Sequence, residues 1–312
     1  MLSQYGTLYH DHSYRFQSAR AAFQALLQHI KPKLVWVPKY TCDAIIEPLQ
    51  HEGIKYAWYN LDLDLAIKSD VSLKEGEYIL YVNYFGLSDH HIEKLFRSIP
   101  PERVILDFSQ AFFSKKWTKA LATIYSPRKF FGVPDGGMLE TKLPIKLPSQ
   151  QDDCSVERMT HLLKRLCMEP EDGYIDYQHA ESSLSNCNPR KMSRLTERLL
   201  QSIDFEKAKK RRYENFIFLE ESLRKYNCFD VSVSPNLSPL CYPFMTTDNR
   251  LKEYLIKHRV FVPTYWHDAI DRVDHEWADK MIHNLLPLPI DHRYGLQEMM
   301  RISELVVEGL GE

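Results

Sequence analysis

The stretch that decides the fold is VILDFSQAFFSKKWTKALATIYSPRKFFGVPDGGMLE, residues 104–140. Three short apolar runs inside it have the composition of buried strands: 104–106, 121–125 and 138–139. Asp107 and Gln110 follow the first run, and Ser126 and Lys129 follow the second. In open α/β sheets, ligands bind just beyond the carboxyl ends of the strands. The stretch therefore predicts a site that brings Asp107, Gln110 and Lys129 together at one edge of a sheet.

The chain before this stretch alternates apolar runs with helical patterns. The runs expected as strands are 34–37, 54–59 and 78–83, and the helices are 18–30, 43–53 and 87–98. This alternation argues for a doubly wound α/β domain with a mostly parallel sheet. No G-x-G-x-x-G follows a strand, so a nicotinamide-nucleotide fold loses its main support.

The chain after this stretch changes in texture. Residues 156–168 predict an amphipathic helix, 169–185 an irregular segment, and 193–226 one long helix that bridges two domains. Strand candidates then alternate with helices: strands at 229–233, 240–244 and 260–262, helices at 249–258, 275–284 and 294–310. We therefore expect a large domain over residues 1–226, including the long connecting helix, and a smaller α+β domain over residues 227–312.

Composition limits the binding partners and the cellular compartment that we expect for this protein. With 312 residues, 44% of them hydrophobic, 26% charged and a net charge of −2, the chain has no electrostatic case for nucleic acid or membrane binding. No apolar run approaches the roughly 20 residues of a membrane span. The six cysteines are scattered without a C-x-x-C pair. This favours reduced thiols in the cytoplasm over disulfides or a metal site.

Asp107 and Lys129 together point to pyridoxal 5'-phosphate (PLP). Its aldehyde needs a lysine amine, and its pyridine nitrogen needs a carboxylate partner. Lys129 stands between Pro127 and the pair 130–131, both Phe, which suggests a partly buried amine. The glycine pair 136–137 would let the backbone approach a ligand closely. Taken singly, the Asp is more often a cap or turn residue and the Lys a solvated surface charge.

The order D-x-x-Q, then S-x-x-K, then six residues to G-G resembles the DegT/StrS-type nucleotide-sugar aminotransferases, which are PLP enzymes of fold type I. The resemblance implies that Asp107 binds the pyridine nitrogen, that Gln110 contacts the ring face or the ring hydroxyl, and that Lys129 holds the cofactor covalently. Ser126, a phosphate or ring contact by the same resemblance, stands three residues before the lysine where the family usually has five.

The resemblance also implies residues for the cofactor phosphate. Ala19 and Arg20 match the family's phosphate loop at a helix N-terminus, which suits an anion. Asn188 matches an Asn that reaches the phosphate of the neighbouring subunit, so a homodimer with shared active sites would follow. The residues alone support a capped surface helix and an Asn-Pro turn equally well.

One aromatic contact of the family is missing at its usual position. The residue that stacks on the cofactor ring corresponds to Cys42 here, and Tyr84 or Phe85 are the substitutes. The aromatic cluster at 265–267 is expected to pack in the core or at an interface rather than touch substrate.

The function implied by the resemblance is a PLP-dependent aminotransferase that moves an amino group, from a donor such as glutamate, to a nucleotide-linked keto sugar. The pathway would be polysaccharide or antibiotic sugar synthesis. One alternative is another PLP-dependent sugar-modifying reaction, although relatives that deoxygenate sugars carry His in place of the lysine. The other alternative is a non-catalytic family member with a regulatory or assembly role.

Overall fold

A seven-stranded mixed sheet forms the centre of the computed structural model, which describes residues 5–6, 8–68, 71–231 and 238–311. Its strands are β1 (Tyr14–Phe16), β2 (Leu34–Pro38), β3 (Lys55–Tyr59), β4 (Glu77–Val82), β5 (Val104–Phe108), β6 (Ala122–Tyr125) and β7 (Gly137–Thr141). They lie in the order β1-β7-β6-β5-β4-β2-β3. The strands from β3 to β6 pair in parallel, while β7 pairs antiparallel with β6 and β1 antiparallel with β7. The predicted mostly parallel sheet is confirmed.

The central strands are buried because both faces of the sheet are covered. Every residue of β5 and β6 is buried, as is the second half of β4. This explains their near-continuous apolar sequence, which is typical of parallel strands between two helical layers. β1 escaped prediction because three residues are too few for a period to show.

Eleven α-helices are found in the described part of the chain. Their ranges are α1 (Ala19–Ile30), α2 (Asp43–His51), α3 (Asp89–Ser98), α4 (Ser155–Arg158), α5 (Thr160–Cys167), α6 (Tyr174–Ser182), α7 (Arg194–Gln201), α8 (Phe205–Leu223), α9 (Leu251–Lys257), α10 (His275–Ala278) and α11 (Leu296–Gly309). A π-helical turn, Asp279–His283, continues α10. None of the helices in the described part of the chain is long and apolar enough to cross a membrane.

The expected long helix over residues 193–226 is wrong in one respect, because it is two helices, α7 and α8. The break falls at residues 202–204, where Asp204 accepts the backbone N–H of Lys207 at 2.9 Å and caps the start of α8. Carboxylates at this position satisfy the free donors of a helix start. The apolar positions continue through the break, which is why the pattern read as one helix.

Two other sequence-based predictions are also wrong. The segment 169–185 is not irregular, because a 3-10 turn, Pro170–Gly173, leads into α6. Large apolar side chains of α6, such as Ile175, are exposed, so they give no amphipathic signal. Residues 260–262 and 229–231 form no strand, and the rest of the second candidate, 232–233, lies outside the described residues.

The C-terminal part carries a second, two-stranded sheet. Strands β8 (Cys241–Met245) and β9 (Leu285–Pro289) pair antiparallel. Helix α8 packs against both β8 and α11, and buried apolar side chains of the two sheets belong to one continuous cluster. The mixture of short strands and helices agrees with the α+β texture of the sequence. The domain boundary at residue 226 stays a prediction.

His10 packs beneath the two loops that carry predicted site residues. Its ring stacks on Tyr125 with centroids 3.7 Å apart, and Nε2 lies 2.8 Å from the carbonyl oxygen of Phe112. Tyr125 directly precedes Ser126, and Phe112 follows Gln110 by two residues. Burial lowers the pKa of His10 from 6.5 to about 4, although the hydrogen bond acts in the opposite direction.

The free energy of unfolding should therefore fall as the pH drops from 6.5 to 4. In this interval the unfolded chain takes up a proton at His10 that the folded chain does not accept. The loss amounts to about 3 kcal/mol when complete. His10→Gln keeps a donor near the Nε2 position and should flatten the pH dependence measured by urea unfolding. The exposed His12→Gln is the control, and an unchanged slope in His10→Gln would contradict this account.

Candidate functional site

A cleft at the carboxyl ends of β5 and β6 collects all but one of the predicted site residues. It is lined by Asp107, Gln110, Ser126, Lys129, Ala19 and Arg20. The exception is Asn188, which is exposed and lies outside the cleft of its own chain. The structure thus brings these residues to one cleft, because adjacent parallel strands end at the same edge of a sheet. Their roles stay predictions.

Asp107 is held near the end of β5 in largely apolar surroundings. Its side chain is 8% exposed, and Oδ1 accepts the backbone N–H of Ser109 at 2.7 Å. Val82 of β4 and Ile124 of β6 flank it in register on either side. Both neighbours also line the cleft. The carboxylate is thus fixed in position within a site from which much of the water is excluded.

Gln110 is fixed by a hydrogen bond to the loop after β4. Its Oε1 accepts the backbone N–H of Phe85 at 2.8 Å, and the side chain is buried. Phe85 has a left-handed backbone, φ 56°, which is rare for a large side chain. The bond to Gln110 helps to hold that conformation, so the loop and the glutamine position each other.

The proposed substitutes for the missing aromatic contact do not reach the cleft. Tyr84 and Phe85 are fully buried, and Tyr84 donates its hydroxyl to the carbonyl of Tyr40 at 2.7 Å. The aromatic residues that line the cleft are Phe23 of α1 and Trp266, and the Trp266 ring packs edge-on against Tyr40 with centroids 4.6 Å apart. The sequence showed the aromatic cluster at 265–267 but not which of its members faces inward.

Cys42 stands in the cleft where the resemblance implies an aromatic residue. It is the residue just before α2, and its thiol lines the same cleft as Lys129 and Asp107. Burial raises the pKa of the Cys42 thiol, against the opposing influence of Lys129. The sulfur is therefore held as an uncharged thiol, which packs as a small apolar group.

Lys129 ends a 3-10 turn, Pro127–Lys129, directly after β6. Phe130 and Phe131 turn into the core, where both are buried, while the lysine side chain is exposed in the single chain. The expectation of a partly buried amine is therefore wrong, because the two phenylalanines mark the opposite side of the turn. Lys129 lines three cavities that meet at this point.

The glycine pair lets two backbones touch. A Cβ on Gly137 would lie 2.1 Å from the carbonyl carbon of Ser18 and 2.4 Å from the nitrogen of Ala19. Ser18 caps α1 by accepting the N–H of Ala21 at 3.1 Å. The pair was expected to admit a ligand, but in this structure it admits the N-terminus of α1. The close contact brings that N-terminus to the wall of the cleft.

Arg20 and Arg128 share a carboxylate at the mouth of the cleft. Glu181 of α6 lies 3.9 Å from Arg20 Nη2 and makes a close ion pair with Arg128. Glu47 of α2 lies 3.6 Å from Arg20 Nη1. Glu181 and Arg128 both line the cleft, and neither was predicted. Glu181 could not be placed from the sequence, because the segment that forms α6 lacks a helical apolar pattern and was predicted to be irregular.

Two side cavities open from the cleft at Lys129. One, of about 290 Å³, extends toward β9 and is lined by several arginines together with phenylalanines and prolines. The other, of about 660 Å³, lies beside α2 and the edge strand β3 and is lined by Tyr56, Trp58 and Arg272. The two cavities differ in size and in chemistry.

Comparison with solved structures shows what the fold resembles. A DegT DnrJ EryC1 StrS aminotransferase from Brucella abortus shares 16% identity over 96% of this chain and 86% of that chain, with a TM-score of 0.65. For the sugar aminotransferase CalS13 from Micromonospora echinospora the identity is 15%, the coverage 95% and 87%, and the TM-score 0.63. NtdA from Bacillus subtilis with bound cofactor PMP shares 15% identity over 96% of this chain and 73% of that chain, with a TM-score of 0.67.

These likenesses show that the chain has the fold of PLP aminotransferases of fold type I. No protein-family model matches the sequence, and no curated protein matches it either. The fold that the resemblance of residues 107–137 implied is confirmed by structures of low sequence identity.

Gly137→Ala should disrupt the wall of the cleft. The added methyl group meets backbone atoms that cannot rotate away, so β7 and α1 must separate at a cost of several kcal/mol. Gly132→Ala is the matched control, because nothing lies within 4 Å of a Cβ there. Urea unfolding measures both variants. A Gly137→Ala protein as stable as Gly132→Ala would show that the backbone contact is not required.

Proposed function

We propose that the chain is a PLP-dependent aminotransferase that moves an amino group from glutamate to a nucleotide-linked keto sugar. The observation that carries the proposal is that a buried carboxylate, Asp107, and an accessible amine, Lys129, line one cleft from the ends of neighbouring strands. The similarity in fold to sugar aminotransferases supports it. PLP requires the same two groups, a carboxylate and an amine, from its protein.

The other residues of the cleft suit the remaining parts of PLP. Ser18, Ala19 and Arg20 form the start of α1, whose free N–H groups and positive dipole end favour a phosphate. Val82 and Ile124 provide apolar surfaces beside Asp107 for a flat ring. Gln110 and Ser126, both buried, add hydrogen-bonding groups to the lining of the cleft. The residues present therefore fit the cofactor, and we assign them to it.

Bound PLP would supply the electron sink that makes loss of a proton from an amino-acid α-carbon tolerable. Asp107 would keep a proton on the ring nitrogen, because an anion beside that nitrogen favours its charged form. Lys129 would hold the cofactor until the donor amine replaces it. The free Nζ would then move the proton from the donor α-carbon to the cofactor, and would move a proton in the reverse direction, to the sugar carbon, when the amine is transferred.

The larger side cavity supports a nucleotide-linked acceptor. Its volume of about 660 Å³ falls within the roughly 300–1,000 Å³ typical of ligand sites. Tyr56 and Trp58 lie two residues apart on β3 with ring centroids 5.3 Å apart, and the guanidinium of Arg272 lies 5.0 Å from the Trp58 ring. Aromatic faces of this kind stack on nucleobases. We assign this cavity to the nucleotide-sugar.

The alternatives differ in what they require of Lys129. A deoxygenating enzyme of the kind weighed above would carry His at this position, so the lysine argues against it. A non-catalytic protein is favoured by two observations, Cys42 in place of the aromatic contact and Glu181 between the two arginines of the cleft. The cytoplasmic location and a role in polysaccharide synthesis stay predictions.

Purified protein incubated with PLP and then dialysed should keep a visible absorption band, and glutamate should bleach it. Lys129→Ala should lose the band, because no amine then faces the carboxyl ends of β5 and β6. Surface lysines also react with aldehydes, so Lys119→Ala, an exposed lysine before β6, is the control and should keep the band. Absence of the band from the wild type would overturn the enzyme proposal and favour the non-catalytic alternative.

We also propose that the protein is a homodimer in which Asn188 serves the partner's site. Asn188 is exposed, and its backbone carbonyl, not its side chain, accepts the side-chain amide of Gln17 at 2.9 Å. Exposed apolar side chains are concentrated in α5 and α6, including Leu166 and Ile175. Patches of this kind mark interfaces.

Sedimentation equilibrium at micromolar concentration should give twice the mass of one chain. Asn188→Ala should stay dimeric but hold PLP roughly tenfold more weakly, because one hydrogen bond to a charged group is lost. The exposed Asn249→Ala is the control. A wild-type protein that sediments as a monomer would rule out a shared site. So would an Asn188→Ala protein that binds PLP as tightly as the wild type.

A further inference from the structure

The smaller side cavity has an unusual excess of positive charge. It is lined by Arg128, Lys129, Arg165, Arg212 and Arg293, with His292 beside them and Asp291 as the acidic residue. Arg128 is neutralised by Glu181, and Arg293 by Asp291. Arg165 and Arg212 take part in none of the ion pairs found among the described residues.

Arg212 forms the buried end of this cavity. The side chain projects from α8, is 1% exposed, and packs its guanidinium 4.7 Å from the ring centroid of Phe130. Its hydrogen bonds go to backbone carbonyls at 3.2–3.4 Å, which is long for charged donors. Its Nε has no hydrogen-bond partner within the described chain.

A buried cation without an anion is costly, and the surroundings of Arg212 show that cost. Burial lowers the pKa of the Arg212 guanidinium to about 10, and Asp291 opposes the shift without reaching ion-pair distance. Buried charges in proteins are usually paired. An anion in the cavity would complete the hydrogen bonding of Arg212 and neutralise it.

We propose that this cavity binds a carboxylate of the amino-acid donor, with Arg212 as its buried anchor. The inference rests on the proposed aminotransferase function and assigns one of its two substrates to a place. Lys129 lines both this cavity and the cleft that holds Asp107, so a donor anchored at Arg212 can present its amine at the reacting end.

Size and wall chemistry favour the donor over the nucleotide-sugar. At about 290 Å³ the cavity lies at the small end of the range for ligand sites, whereas the acceptor cavity has about 660 Å³. Its walls include Phe131, Phe261 and Pro287, which suit the methylene chain of an amino acid better than a hydrated diphosphate. The planar guanidinium of arginine matches a carboxylate in geometry.

The test uses PLP-free protein and unreactive probes, so that binding is measured apart from chemistry. Isothermal titration calorimetry with glutarate should show binding to the wild type and roughly 10- to 100-fold weaker binding to Arg212→Gln. Arg211→Gln is the matched control, because the neighbouring arginine of α8 is half-exposed and faces Glu214 instead. Arg165→Gln, an exposed change at the cavity mouth, should weaken binding about threefold even if Arg212→Gln fails to fold.

Uridine diphosphate and inorganic pyrophosphate separate the two cavities. Trp58→Ala should weaken binding of uridine diphosphate about tenfold and leave glutarate binding unchanged. Arg212→Gln should weaken binding of glutarate and leave binding of uridine diphosphate unchanged. Pyrophosphate that binds more tightly than glutarate and depends on Arg212 would overturn the carboxylate assignment. So would glutarate that fails to bind the wild type, or that binds Arg165→Gln and Arg212→Gln as tightly as the wild type.

A failure of the aminotransferase proposal would look different. In PLP-loaded protein, Arg212→Gln should raise the glutamate concentration needed for half-maximal bleaching about tenfold and leave the visible band in place. If the wild type binds glutarate through Arg212 but does not bind PLP, the anion site is real but it is not a donor site of an aminotransferase. A wild type that holds PLP but ignores glutarate would remove the anion site alone.

Discussion

The contact on which the site depends is the approach of two backbones at Gly137 and Ser18. No side chain larger than hydrogen fits between them, so β7 can lie against the start of α1. Gly136 adds a hydrogen bond from its N–H to the carbonyl of Gln17 at 2.7 Å, and Phe16 of β1 pairs with Gly137. The antiparallel edge of the sheet and the helix that faces the cleft are therefore fixed by one steric condition.

A buried carboxylate extends this arrangement to helices α4 and α7. Asp135 is fully buried and accepts the hydroxyl groups of Ser155 at 2.6 Å and Ser193 at 2.7 Å, together with the backbone N–H of Ser193. Ser193 in turn caps α7. The loop between Lys129 and the glycine pair is thus tied to α4 and α7, and the position of Lys129 is set by packing on one side and hydrogen bonds on the other.

The sequence revealed those features whose cause is local or periodic. The strands β4 and β5 were predictable because burial on both faces requires an unbroken apolar run, and Asp107 and Lys129 because their strands end together. Helix α6 was not, because its large side chains face outward and its role is to deliver Glu181 to the cleft. The orientation of Trp266 and the exposure of Lys129 depend on how loops fold back on the sheet, which no local pattern records.

The ion pairs that Glu181 makes with Arg20 and Arg128 attach helix α6 to the cleft. Arg128 is paired with this carboxylate, and Arg20 is paired with it and with Glu47, so a phosphate drawn to either arginine would compete with Glu181. Because both use the same arginines, the two interactions are linked. A bound anion would weaken the ion pairs that attach α6, and a contact that displaces α6 would strengthen anion binding by the same factor. Phosphate binding at these arginines, if it occurs as proposed, is therefore thermodynamically linked to the attachment of α6.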